Sequence, residues 1–137
     1  MKVILDKGAV MPLKAHPDDA GFDLYARERL IVPAKESAKT DTGVHFEIPK
    51  GYVGFLKNKS GLNVNHGITS EGVIDSGYTG SVVVKLYNNS GYDYTFEKGD
   101  KISQIVFLPI AHGFDLELVT EFEETERGNG GFGSTGR

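Results

Sequence analysis

Asp75 stands in the run Ile74-Asp75-Ser76-Gly77-Tyr78, with a phenol three residues beyond the carboxylate. A carboxylate held there can orient a water molecule and accept its proton. Asp-Ser-Gly is equally good turn chemistry, so spacing alone leaves both roles open. The chain has no cysteine and no evident Ser–His pairing, which leaves covalent catalysis without a candidate nucleophile. His16, His45, His66 and His112 are scattered without metal-ligand spacing and read as surface or structural residues. At the far end, Arg127 to Arg137 combines one aromatic, two hydroxyls and two arginines with five glycines. Glycines let backbone N–H groups turn toward an anion, so this is a kit for closing over a phosphorylated ligand. Gly128 and Gly133 have the G-x-x-x-x-G spacing of a P-loop, but no Lys follows and no helix can follow in this sequence, so that reading is rejected.

The elements that must position these residues read as strands. Val44, Phe46 and Ile48 alternate with polar neighbours and meet a turn at Pro49-Lys50-Gly51. Ser81 to Tyr87 and Ile102 to Ile110 are β-branched, apolar runs suited to buried strands. Phe114, Leu116, Leu118 and Phe122 alternate with Asp115, Glu117 and Glu121, which predicts a half-buried strand. Turn signals at Asn88-Asn89-Ser90-Gly91 and Lys98-Gly99-Asp100 punctuate the runs. The sole helix candidate is short, from Ser60 to Asn65, with Ser60 as its cap. The expected fold is all-β: a jelly-roll-like antiparallel sandwich or barrel spanning residues 1–126, followed by a flexible Gly-rich arm at 127–137 that cannot bury a core.

Composition narrows the function classes. A length of 137 residues is one domain's worth of chain. A formal net charge of −4 argues against a protein that grips nucleic acid by neutralising many phosphates, though not against a nucleotide substrate. No apolar run approaches the ~20 residues of a membrane span, and Asp6 interrupts any N-terminal signal. Neither nucleic acid nor membrane is expected as a partner, and the expected location is the cytoplasm, or the host cytoplasm if the source is viral or phage.

In order along the chain, five segments resemble the five motifs of the trimeric dUTPase family. They are Ala20-Gly21-Phe22-Asp23-Leu24, Lys59-Ser60-Gly61-Leu62, Gly72-Val73-Ile74-Asp75-Ser76-Gly77-Tyr78-Thr79-Gly80, Lys98-Gly99-Asp100-Lys101-Ile102-Ser103-Gln104, and Arg127-Gly128 through Phe132-Gly133-Ser134-Thr135-Gly136. The resemblance implies a homotrimer whose sites draw motifs from all three subunits, hydrolysing dUTP to dUMP and pyrophosphate by water attack on the α-phosphorus. Such an enzyme keeps uracil out of DNA and supplies dUMP for dTMP synthesis. It implies Asp75 as the catalytic carboxylate, also touching the sugar 3′-hydroxyl, and Tyr78 packed where a 2′-hydroxyl would sit. Uracil would be read by the backbone of a Gly72–Val83 hairpin, including Gly72, Ile74 and Val83.

Lys59, Ser60 and Gly61 would hold the phosphates, with Gln104 completing their surroundings and Asp23 reaching the cofactor Mg²⁺ through water. No dedicated protein cage for that ion is expected. Arg127 would pair with a phosphate, Phe132 would stack on uracil, and Gly133, Ser134 and Thr135 would close on the terminal phosphate. Two departures stand out. Lys59 occupies a position where the family usually has Arg, and lysine gives charge without the planar two-pronged bond. The stretch Gly67 to Glu71 also lacks the asparagine that some members place near the base. A dCTP deaminase shares the fold but typically works with a glutamate in the hairpin region, where this chain has Asp75 followed by Ser-Gly-Tyr.

Overall fold

The computed structural model describes residues 1–111 and 113–136. His112 and Arg137, read above as a surface or structural histidine and as part of the arm, lie outside the described residues. The elements in chain order are β1 (Lys2–Leu5), β2 (Phe22–Tyr25), β3 (Leu30–Val32), β4 (Ser37–Asp41), β5 (Val44–Glu47) and β6 (Tyr52–Lys57). They continue with α1 (Ser60–His66), β7 (Ile68–Thr69), β8 (Glu71–Ile74), β9 (Val83–Asn88), β10 (Tyr94–Phe96) and β11 (Lys101–Pro109). All pairings are antiparallel, and most join strands distant in sequence.

β2 pairs with β11, β3 with β10 and β4 with β9, each step inward on one side matched by a step inward on the other. The chain is therefore one long antiparallel ribbon folded back on itself and rolled up, which is the jelly-roll arrangement. β6 lies between β11 and β8, and β7 completes the β4–β9 sheet.

Alternation builds the core. On β9, Val84 and Leu86 point inward with Asn88 while Val83, Lys85 and Tyr87 point out. They meet Leu24, Val32, Val44, Phe96, Ile102 and Ile105, all nearly inaccessible. Buried Asn88 is fully paired, donating to the carbonyls of Val32 (3.0 Å) and Tyr92 (2.7 Å) and accepting from the Ser90 amide (2.9 Å). Among the described residues no helix is long and apolar enough to cross a membrane.

Three sequence expectations need correction. Residues 114–122 form no strand: Phe114, Leu116, Leu118 and Phe122 are all exposed, Leu116 almost completely. Among the described residues their alternation has nothing to pack against. The helix forms, but Ser60 is its first residue, not its cap; Lys59 caps it, without a side-chain bond. Finally, β8 and β9 do not pair with one another as a hairpin. β8 pairs with β6 and β9 with β4 and β7, so residues 75–82 cross between sheets.

The crossing is fixed by the bend between β4 and β5. The Thr42 amide and hydroxyl both donate to the Val82 carbonyl (3.0 and 2.7 Å), and the Val82 amide donates to the Val44 carbonyl (2.8 Å).

Candidate active site

The β2–β11–β6 ladder assembles the first cluster. Asp23 pairs with Gln104, which pairs on its other side with Lys57, two residues before Lys59. Between Lys101 and Ser103 the β11 register against β2 shifts, leaving Ile102 as an extra residue. This bulge matters for side-chain direction. Three steps from Gln104 would put Lys101 on the opposite face, but the extra residue brings it opposite Tyr25, on the same face as Asp23.

Asp23 is buried, and both of its oxygens are taken: Lys59 reaches Oδ1 and Lys101 reaches Oδ2 at 2.8 Å. Burial alone would raise the Asp23 pKa, but hydrogen bonds and charge from the two lysines outweigh it and hold the carboxyl below the ordinary value. Gln104 donates to the Asn58 carbonyl at 3.1 Å, which fixes the approach to α1. Its side chain lies where Gly21 would carry a Cβ, only 2.5 Å from Gln104 Oε1. A larger residue at Gly21 would therefore have to displace the side chain of the glutamine 83 positions later in the chain. Ser60 and Gly61 are exposed in the first turn, where backbone N–H groups have no intrahelical acceptor. Lys101 was missed as a site residue because its direction depends on the bulge.

The second cluster is the crossing segment. Asp75 is exposed directly after β8, and the Tyr78 amide donates to its carbonyl at 3.0 Å, closing a turn. The Tyr78 ring folds back over Gly80, and its hydroxyl donates to the Ser81 carbonyl at 2.9 Å. A Cβ at Gly80 would lie 2.5 Å from that hydroxyl. Gly72 is half-buried against Leu56, Ile74 packs on the core, and Val83 is exposed on β9 opposite Asp41. Ser81 donates to the Asp41 carboxylate and His45 contacts the Thr79 carbonyl. His45 was read only as a surface or structural residue, and nothing in a lone strand histidine marks that contact.

The two clusters are not together within one chain. Gly54 pairs with Ile74 and Lys57 with Glu71, so Asp75 leaves one end of the β6–β8 ladder and Lys59 the other. At ~3.3 Å per strand residue the separation is on the order of 15 Å. The third group, on the arm, is also apart. Arg127, Gly130, Ser134 and Thr135 line a shallow polar hollow of the arm itself, with Arg127 Nε donating to the Gly130 carbonyl at 2.9 Å. Phe132 is fully exposed at φ 51°, between glycines and on no apolar surface. Gly133 has φ 98°, left-handed backbone that glycine adopts without strain.

Among the described residues no three or more His, Cys, Asp or Glu side chains stand close enough to hold a metal ion.

A sequence model of the dUTPase family matches residues 7–136. The deoxyuridine 5'-triphosphate nucleotidohydrolase of Kluyveromyces lactis is 40% identical over 130 residues, covering 94% of this chain and 88% of its own. Its namesake in Clostridium acetobutylicum is 41% identical over 135 residues, covering 96% and 92%. Among solved structures, the Staphylococcus bacteriophage 80alpha dUTPase with dUPNHPP superposes with a TM-score of 0.91 at 33% identity, over 99% of this chain and 98% of that one. A mutant dUTPase of phage phi11 of S. aureus, described with a structural Mg(II) ion, gives a TM-score of 0.80 at 30% identity, over 90% and 98%.

Proposed function

This chain belongs to the dUTPase family, and from that premise we infer that it hydrolyses dUTP to dUMP and pyrophosphate, with Asp75 as the group that activates water. The carrying observation is the family match over residues 7–136 together with an exposed Asp75 at the head of a crossing closed by Tyr78 and Gly80. In the step, Asp75 orients a water and accepts its proton as the water oxygen bonds to the α-phosphorus. The bond from that phosphorus to the bridging oxygen of the β-phosphate breaks, and pyrophosphate leaves. The reaction limits uracil entry into DNA and supplies dUMP for dTMP synthesis.

Tyr78, folded over Gly80, is the wall against a 2′-hydroxyl, and the backbone from Gly72 to Val83, with Ile74, reads the uracil edge. Lys59, Ser60 and Gly61 hold the phosphates beside Gln104, and Arg127, Phe132, Gly133, Ser134 and Thr135 close over the nucleotide. The donor set fits Mg²⁺ carried in with the triphosphate better than a resident ion, because both Asp23 oxygens are held by lysines. When bound, the ion neutralises phosphate charge. Asp23 meanwhile holds Lys59 and Lys101 in place, and would reach the ion through water.

The active assembly is a homotrimer with residues 1–126 as its core and 127–137 as the arm. Two observations support this. Asp75 and Lys59 leave opposite ends of one ladder, which favours a site that takes the two groups from different chains. The alternation at 114–122 also offers apolar side chains that have no partner among the described residues.

Purified protein with Mg²⁺ is expected to release pyrophosphate from dUTP far faster than from dTTP, dCTP or UTP. Similar rates on all four would defeat the specificity reading, and ammonia release from dCTP would indicate a deaminase instead. Asp75→Asn is expected to abolish turnover while nucleotide binding persists.

A further inference from the structure

His45 on β5 lies between two acceptors. The Thr79 carbonyl oxygen is 2.9 Å from Nδ1, and a carboxylate oxygen of Asp6 is 3.2 Å from Nε2. A neutral imidazole has a single N–H and can donate to one of these only, leaving a lone pair facing the other oxygen. The imidazolium donates to both. In keeping with this geometry the His45 pKa is raised, first by the Thr79 carbonyl, with the Asp6 carboxylate and the charge of Asp41 adding to it against partial desolvation. Other charged groups nearby are paired among themselves. Arg27 lies 3.7 Å from the second Asp6 oxygen and opposes the effect of Asp6, while Lys2 and Glu47, two pairs along the β1–β5 ladder, hold one another at 2.9 Å.

Thr79 sits between Tyr78 and Gly80, inside the crossing that carries Asp75. The remaining ties from that segment to the β4–β5 bend fall at Ser81 and Val82, beyond Gly80. Among the described residues, the His45 contact is the tie to the β4–β5 region that lies closest in sequence to Asp75, on the side away from the Ile74–Gly54 pair of the β6–β8 ladder. We infer that His45, when protonated, is a positioning residue: it clamps the Thr79 carbonyl and thereby aims Asp75 and Tyr78. The inference rests on the reading of Asp75 as the base. As pH rises through the raised His45 pKa, the ring keeps a single proton; the Asp6 carboxylate is the stronger acceptor and holds it on Nε2, so the bond to the Thr79 carbonyl is lost and the crossing slackens. A reacting group misplaced by ~1 Å can lose up to roughly 100-fold in rate, so loss of this clamp is expected to be visible in kcat.

The test is a set of pH profiles of kcat and KM for dUTP hydrolysis by the full-length protein, its His45→Phe and His45→Asn variants, and Asp75→Asn, with the His45 titration followed by imidazole NMR. The parent protein is expected to show a fall in kcat at alkaline pH whose midpoint tracks the His45 titration, above the ordinary ~6.5. His45→Phe has neither bond: kcat is expected to drop on the order of tenfold at pH values where His45 is charged, the alkaline fall to vanish, and dUTP-over-UTP selectivity to narrow. His45→Asn keeps an amide donor near the Nδ1 position at every pH, so it is expected to recover most of kcat and show no such fall. A His45→Phe protein with parental kcat and parental pH profile overturns the inference, as does an alkaline fall that survives in His45→Asn. Should His45→Phe fail to fold, the Asn variant decides alone. The two readings separate cleanly. An active Asp75→Asn protein removes the base assignment whatever His45 does, while an inactive one beside a normal His45→Phe removes the clamp alone.

Discussion

Asp23 shows how far one buried side chain can be read in advance. Its segment marked it as a candidate site residue, yet its partners were not legible. Lys59 lies 36 positions away, and Lys101 turns toward it only because of the bulge at Ile102. The carboxyl's pKa is depressed, so its contribution to stability is complete above the unfolded value of ~4 and is lost as pH falls through the folded value. Asp23→Asn is expected to cost roughly 1–3 kcal/mol at neutral pH, toward the low end for a broken buried pair, because Lys59 and Lys101 are partly exposed and can turn to water. Its melting temperature should therefore fall less on acidification than that of the parent. Thermal melts between neutral pH and pH ~3 decide this, and equal acid slopes for the two proteins would contradict it. Asp19 and Asp41, also depressed, supply the acid sensitivity that remains.

The strands easiest to find in the sequence were β5, from the alternation of Val44, Phe46 and Ile48, and β9 and β11, from continuous β-branched, apolar runs. The short β1, β7 and β8 have too few residues for a period, and their existence depends on partners: β5, β9 and β6. The same dependence undid the hairpin expectation, since turn chemistry between Asp75 and Gly80 says nothing about which sheet each flank joins.

The crossing offers its own test. Gly80→Ala places a methyl 2.5 Å from the Tyr78 hydroxyl and 2.6 Å from the ring, so the ring must leave its place. Gly77→Ala meets no atom within 4 Å and serves as the control. Gly80→Ala is expected to lower kcat/KM for dUTP and narrow its margin over UTP, while Gly77→Ala leaves both near parental. Equal kinetics for the two variants would mean that the Tyr78 position does not set sugar selectivity.

On the scale of the whole molecule, the distance between the two clusters turns a structural argument into a mixing experiment. If each site takes Asp75 from one chain and Lys59 from another, two inactive variants can repair one another. Asp75→Asn and Lys59→Met, unfolded together and refolded at equal ratio, should regain up to about a quarter of the parental sites, because each mixed cyclic trimer rebuilds one site in three. Either variant refolded alone should stay inactive or nearly so. No recovery in the mixture, with trimers confirmed by mass, would mean that one chain supplies both groups. The sequence offered no hint of this separation except through family resemblance, since the motif order along the chain is silent about which end of a ladder each motif leaves.

The uncovered stretch from Phe114 to Phe122 has a consequence for the newly made chain. An exposed segment whose apolar residues Phe114, Leu116 and Leu118 alternate with polar ones resembles the segments that stack into fibrils. Here Asp115, Glu117 and Glu121 interleave with the apolar residues, and Glu123 and Glu124 follow. Stacking identical copies in register would set each carboxylate on its own image every ~4.7 Å, a column of like charge that grows with every added chain. A differently charged edge carries no such penalty. The acidic residues thus bias the segment away from stacking on copies of itself while leaving its exposed apolar side chains open to a surface of different charge.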